Sequence, residues 1–252
     1  MSTIPAEAHV APLIHRRIRN SRSTVRSRVA GNDREVRAII DLRTALYRQV
    51  GKWSDEAPMF DRFDTEAGAV HIGAWKDDLL IGAARVLVRA PEQEYEHDRF
   101  LSWDAIGLPP REECVEISRL CIRRQSRQPG TMRSLLREIA WTCLISGRQY
   151  LVACATRELL PTYLRIFGAR STGFEFTHTD LGPKSHTMLY ASISQGIAGR
   201  TMPWHVWAAL WAPVAVRGYR ARFLEPDAGP ARRALKIAHA RLASALPLGR
   251  FR

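Results

Sequence analysis

Cys114 to Ile122 (CVEISRLCI) alternates like a strand, Thr131 to Gly147 carries a helical stripe, and Tyr150 to Ala155 is a short apolar run. A strand, a helix and a strand in such close succession leave few architectures open, because the helix must cover the sheet that the strands enter. The stripe consists of Leu135, Leu136, Ile139, Ala140, Cys143 and Leu144. Upstream, Asn32 or Asp33 can cap a helix whose apolar positions are Val36, Ile39, Ile40, Leu42, Leu46 and Val50, with Gly51 at its end. Ala69–Trp75 and Leu79–Val88 read as a hairpin turning at Lys76-Asp77-Asp78, and Arg89–Glu113 as a polar connection with room for a short helix. Downstream, Leu159–Phe167 reads as a helix stopped at Gly168, followed by a strand pair, Ser171–Phe176 and His186–Ile193. The order predicts an α+β fold with a central mixed sheet flanked by helices.

Charge divides the chain into three parts. Residues 1–32 carry a net +5 and residues 197–252 a net +8, so the whole +13 resides in the ends and residues 33–196 are neutral. The expected organisation is a flexible basic arm over 1–32, a folded domain over 33–196 and a basic helical extension over 197–252. In the extension, Trp204, Trp207 and Trp211 share one helical face, Pro213 should kink or end that helix, and a second helix is expected over 230–246. Three tryptophans beside Arg217, Arg220 and Arg222 make 203–224 a candidate membrane-surface contact, with packing on the core as the alternative. The longest apolar run, Val206 to Val216, is too short to span a bilayer, and no secretory signal is visible. Cys114, Cys121, Cys143 and Cys154 form no CxxC pair, so buried thiols are expected and a metal site is not. These features predict a cytoplasmic protein, with the inner-membrane surface as a candidate station. No helix-turn-helix, zinc finger or aromatic RNA-binding motif is present, and no specific nucleic acid is expected.

The chemistry-bearing residues fall in clusters: Arg43, Tyr47 and Trp53; Asp61 and Asp64; Arg85 within an apolar strand; Glu116 with Arg119; and the loop Arg124–Thr131 (RQSRQPGT), whose glycine and helix start suit a phosphate. Arg85 stands out, since a buried guanidinium requires a partner.

Taken in order, Arg43, Tyr47, Trp53, Asp61, Asp64, Arg85, Glu116 and Arg119 resemble the motif set of the acyl-homoserine lactone (autoinducer) synthases. The matching family positions read Arg, Phe, Trp, Asp, Asp, Arg, Glu and Arg, so only Tyr47 departs. EISRLCI is similar to that family's Glu-x-Ser/Thr-Arg-Phe strand, and GRQYLVACATRELLPTYLRIFGA to its later strand and helix, so the resemblance covers about 34–193. The related N-acyl amino acid synthases share the fold, which is N-acetyltransferase-like (GNAT-like), and several of these positions.

The resemblance implies transfer of a fatty acyl group from an acyl-carrier-protein or coenzyme A thioester to an α-amine, without a bound cofactor or metal. The acceptor it favours is S-adenosylmethionine, with a free amino acid as the alternative; a non-catalytic membrane or nucleic-acid binder is the remaining one. Under this reading Glu116 is the general base or positions the amine, and Arg119 fixes that carboxylate or holds the substrate's. Arg43, Tyr47, Trp53, Asp61, Asp64 and Arg85 form the acceptor site, the acidic pair suiting a sulfonium or ammonium. Arg123, Arg124, Arg127, Gly130 and Thr131 hold the phosphopantetheine arm, and the basic tails meet the acidic carrier protein. Strict alternation puts Glu116 and Arg119 on opposite faces, so a bulge is expected between them.

Overall fold

The computed structural model describes residues 25–179 and 182–220, together with residue 238. Its elements, in chain order, are β1 (Val25–Val29), α1 (Asp33–Gln49), β2 (Ala69–Lys76), β3 (Leu79–Leu87), β4 (Cys114–Ile122), α2 (Pro129–Ile145), β5 (Tyr150–Thr156), α3 (Leu160–Phe167), β6 (Arg170–Thr177), β7 (Ser185–Ser192), α4 (Ile193–Ala198) and α5 (Trp204–Arg220). Asn32 caps α1, its Oδ1 accepting from the Glu35 N–H at 3.0 Å. Gly168, at φ 60°, ends α3 in the left-handed conformation that a residue with a Cβ rarely adopts. The 89–113 connection contains three short 3-10 turns, at Glu96–Arg99, Asp104–Ile106 and Arg111–Glu113.

The strands form one seven-stranded mixed sheet in the order β1-β2-β3-β4-β5-β7-β6. Only β4 and β5 are parallel, joined by α2 as the crossover helix. β1 lies within the stretch expected to be a flexible arm. Its arginines, Arg26 and Arg28, alternate with half-buried Val25 and Ser27, a sparse pattern that only pairing with β2 turns into a strand.

α2, α4 and α5 cover one face over an apolar core that includes Ile72, Val86, Ile117, Leu135, Ile139, Trp207 and Trp211. α1 and the short turns cover the other face. The tryptophan stripe is therefore not a lipid-facing surface: Trp207 and Trp211 are fully buried, and only Trp204 is exposed. The Trp207 indole donates to the Ile197 carbonyl at 2.7 Å, and Gly196 leaves room for the Trp211 ring, which a Cβ there would approach to 2.8 Å.

Pro213 does not end the extension's helix, because α5 continues to Arg220. Proline removes the donor for the Ala209 carbonyl, and Arg137 of α2 replaces it with two bonds, at 2.9 and 2.6 Å. Among the described residues no helix is long and apolar enough to cross a membrane. Apart from Ala238, which is helical and buried, the expected second C-terminal helix lies outside the described residues, as do 221–224 of the membrane candidate.

Candidate active site

β4 and β5 pair only from Cys114↔Tyr150 to Ile117↔Ala153, and beyond that point the ladder between them ends. At the same level the β3–β4 register slips. Arg85 faces Ser118 and Ala83 faces Cys121, so Arg119 and Leu120 both oppose Ala84. This is the expected bulge, with Arg119 in left-handed backbone at φ 55°. It brings the Arg119 side chain to the same cluster as Arg85.

On the α1 face three arginines meet three carboxylates. Arg85 donates to Asp61 Oδ1 at 2.6 Å, Asp64 Oδ1 at 2.8 Å, Glu96 Oε2 at 2.6 Å and Ser118 Oγ at 3.1 Å. Arg43 binds both Asp64 oxygens, at 3.0 and 2.6 Å, and the Met59 carbonyl. Arg119 Nη2 lies 3.0 Å from Asp61 Oδ2 and 2.5 Å from Glu96 Oε1. Burial alone would raise the Asp64 carboxyl, but Arg43 and Arg85 hold it at about 2. Glu96 likewise stays well below the usual carboxylate range against its burial, because Arg119, His178 and Arg85 surround it. The network thus ties α1 and the 59–64 segment to the sheet.

Glu116 takes no part in that network. It is fully buried, and its Oε2 lies 2.8 Å from His97 Nδ1 and accepts the His97 backbone N–H at 3.2 Å. Burial opposes charge on His97, yet the Glu116 carboxylate raises its pKa well above that of free histidine and so favours the imidazolium. His178 is in the opposite state. Burial lowers its pKa, Glu96 only partly compensates, and Glu96 Oε1 at 3.2 Å from Nε2 fixes the ring. His178 Nδ1 is buried without a hydrogen-bond partner.

A cavity of about 120 Å³ passes through the gap between β4 and β5. Glu96, His97, Arg119, His178 and His186 line its polar end, and Ile117, Leu136, Ile139, Phe167 and Leu189 its apolar depth. It adjoins an open cleft of about 1,020 Å³ that Arg124, Arg127, Gln128 and Met132 border. Tyr47, Lys52, Leu120, Leu159 and Tyr163 line both spaces.

Of the residues singled out in the sequence, Arg43, Asp61, Asp64, Arg85 and Arg119 come together, and Tyr47 stands at the mouth of the cavity. Four expectations change. Asp61 and Asp64 are paired with arginines and present no open acidic seat. Arg119 pairs with Asp61 and Glu96, and the partner of Glu116 is His97. Trp53 stays in its own loop, its indole donating to the Ala57 carbonyl at 3.0 Å. In the donor loop Arg124 and Arg127 line the cleft, whereas Arg123 is turned back to the Leu80 carbonyl at 3.0 Å, Gly130 is not a lining residue, and Thr131 is buried in α2. Sequence reading missed Glu96, His97, His178, His186 and Lys52. The adjacent titratable pair Glu96-His97 in a stretch treated as a connection was the one usable signal; His178 and His186 offered none.

A mixed sheet with helices on both faces and a gap between its two parallel strands is the GNAT-like fold of N-acyltransferases. FeeM, an N-acyl amino acid synthase from uncultured soil microbes, superposes with a TM-score of 0.60 at 14% identity, covering 71% of this chain and 96% of that one. BjaI, a CoA-dependent acyl-homoserine lactone synthase solved with SAM and isopentyl-CoA, gives 0.55 at 14% identity over 86% and 99%. The acyl-homoserine lactone synthase LasI gives 0.51 at 18% identity over 68% and 91%. At these identities the likeness is one of fold. The family model of N-acyl amino acid synthase FeeM matches residues 38–191, and the chain belongs to that family. It is an N-acyltransferase. No curated protein matches it in sequence.

Proposed function

We propose that this enzyme transfers a fatty acyl group from the phosphopantetheine thioester of an acyl carrier protein to the α-amine of a free amino acid. The observation that carries the choice of acceptor is the pairing of Asp61 and Asp64 with Arg43, Arg85 and Arg119. A sulfonium acceptor would call for open carboxylates, and these two are already neutralised. The family match supports the same choice. For the donor, Arg124 and Arg127 border the open cleft and suit an acidic carrier protein.

In the reaction the amine nitrogen attacks the thioester carbonyl, the C–N bond forms, and the C–S bond breaks through a tetrahedral oxyanion. One proton leaves nitrogen and one reaches sulfur. Two imidazoles in opposite states line the cavity and divide this work. Neutral His178, its Nε2 on Glu96, offers the Nδ1 lone pair to the amine proton. Imidazolium His97 supplies the proton for the departing sulfur, and Glu116 is the positioning residue that keeps it charged. The bulge at Arg119–Leu120 interrupts the ladder beside the cavity, and its backbone N–H groups are the candidate oxyanion donors.

The test is mass spectrometry of products from the purified enzyme given palmitoyl-carrier protein or palmitoyl-CoA, with the twenty amino acids or S-adenosylmethionine. An N-acyl amino acid formed with the carrier protein is expected, and His178→Asn should slow it about 10²- to 10⁴-fold. A homoserine lactone product would overturn the acceptor, and a strong preference for coenzyme A would overturn the donor.

A further inference from the structure

The three cationic side chains lining the cavity differ in one respect. Arg119 is paired with Asp61 and Glu96, and His97 with Glu116. Lys52, just past the end of α1, donates its backbone N–H to the Tyr47 carbonyl at 2.9 Å, but its ammonium makes no ion pair or hydrogen bond among the described residues. Burial destabilises its ammonium and Lys184 adds to the effect, so its pKa is lowered. Glu158, the acid that acts on it, is held by Lys184 at 2.9 Å. A half-buried cation with no counter-ion among the described residues, at the mouth of a cavity, is the complement of an anionic ligand.

Two anions reach this place in an N-acyl transfer, the carboxylate of an amino-acid acceptor and the phosphate of the donor arm. Arg124 and Arg127 border the open cleft where the donor arm would lie, and Lys52 is not among several free cations on the enclosed side. There it leads toward the base. Its charge helps push His186 down to about 4, after burial, and the His186 ring lies 6.1 Å from that of His178. A carboxylate on Lys52 therefore points the neighbouring amine along the wall that carries His186 and His178.

We infer that Lys52 binds the α-carboxylate of the acceptor and thereby makes the enzyme selective for α-amino acids over simple amines. The inference rests on the proposed acyl transfer to an α-amine. It applies equally to a free amino acid and to S-adenosylmethionine, which carry the same group.

The experiment compares wild type, Lys52→Met and Lys52→Arg on the best acceptor found in the product screen and on the amine that its decarboxylation gives. Wild type should prefer the amino acid. Lys52→Met should raise the acceptor KM roughly 10- to 100-fold, the range of a lost charge-assisted bond, and abolish the preference for the amino acid. The donor KM and the melting temperature should stay unchanged, and Lys52→Arg should retain most of the preference. A preference that survives in Lys52→Met overturns the inference while acyl transfer stands. A rise in donor KM instead assigns Lys52 to the phosphate and also overturns it. Wild-type enzyme that acylates neither an amino acid nor S-adenosylmethionine defeats the proposed reaction itself, before any variant is made, and the inference falls with it.

Discussion

Arg85 and Val86 are consecutive on β3 and both are fully buried, yet they serve opposite faces of the sheet. Val86 joins an apolar core with α2 and α5, in which contact area is the main source of cohesion. Arg85 enters a cluster in which four acceptors surround one guanidinium, and its cohesion depends on every partner being present. A dispersive core loses stability in proportion to what is removed. A charged one leaves buried, uncompensated groups behind when a single member goes. The arginine face holds the 59–64 segment in place, and the cavity beside it keeps the atoms left over for chemistry.

The sharpest test of this contrast removes each neighbour in turn. Arg85→Ala should destabilise by about 3–5 kcal/mol, since it leaves Asp61, Asp64 and Glu96 short of a cation. Val86→Ala should cost about 2 kcal/mol, the transfer and cavity cost of two methyl groups. Urea denaturation reads both, and equal losses would erase the distinction between the faces.

The acid limb of stability tests the charged face alone. The Asp64 carboxyl sits at about 2 in the folded protein, below its ordinary 3.8, so its contribution is present above about pH 4 and lost as pH falls toward 2. The urea midpoint should drop across that window by the equivalent of about 2–3 kcal/mol from this group. A flat profile would mean that the arginines do not hold the carboxylate in this way.

His97 supplies an effect of opposite sign. Its folded pKa is raised, so its stabilisation is complete below the ordinary histidine value and fades as pH rises through the folded one. Glu116→Gln should remove that alkaline loss from the unfolding profile and shift the upper limb of the pH–rate curve downward. An unchanged upper limb would remove His97 as the acid.

Much of the architecture was legible because periodicity reports burial. The bounds of β4 follow from alternation alone, and the bulge was required by placing Glu116 and Arg119 three apart on a strand that must serve one site. β1 was not legible, as an edge strand with one half-buried side carries too few apolar residues to register. That α5 runs on past Pro213 was not legible, because the donor that replaces its missing N–H, Arg137, comes from another helix. In the site, the arginines and aspartates were recognisable by type and order, but their pairing was not. Glu96, His97 and His178 lie in connections or at strand ends, where neither period nor spacing marks them.

The order of elements from α1 to β7, the mixed sheet and the family resemblance are readable along the chain, since these depend on local pattern and on residue types kept in order. The tertiary structure decided which charges cancel. Asp61 and Asp64 look like a seat for a cation until Arg43, Arg85 and Arg119 arrive from three other elements, and Lys52 looks like an ordinary surface lysine until burial leaves it with no counter-ion among the described residues. Electrostatic partnership depends on distance through space and on excluded water, and neither quantity is written along the chain.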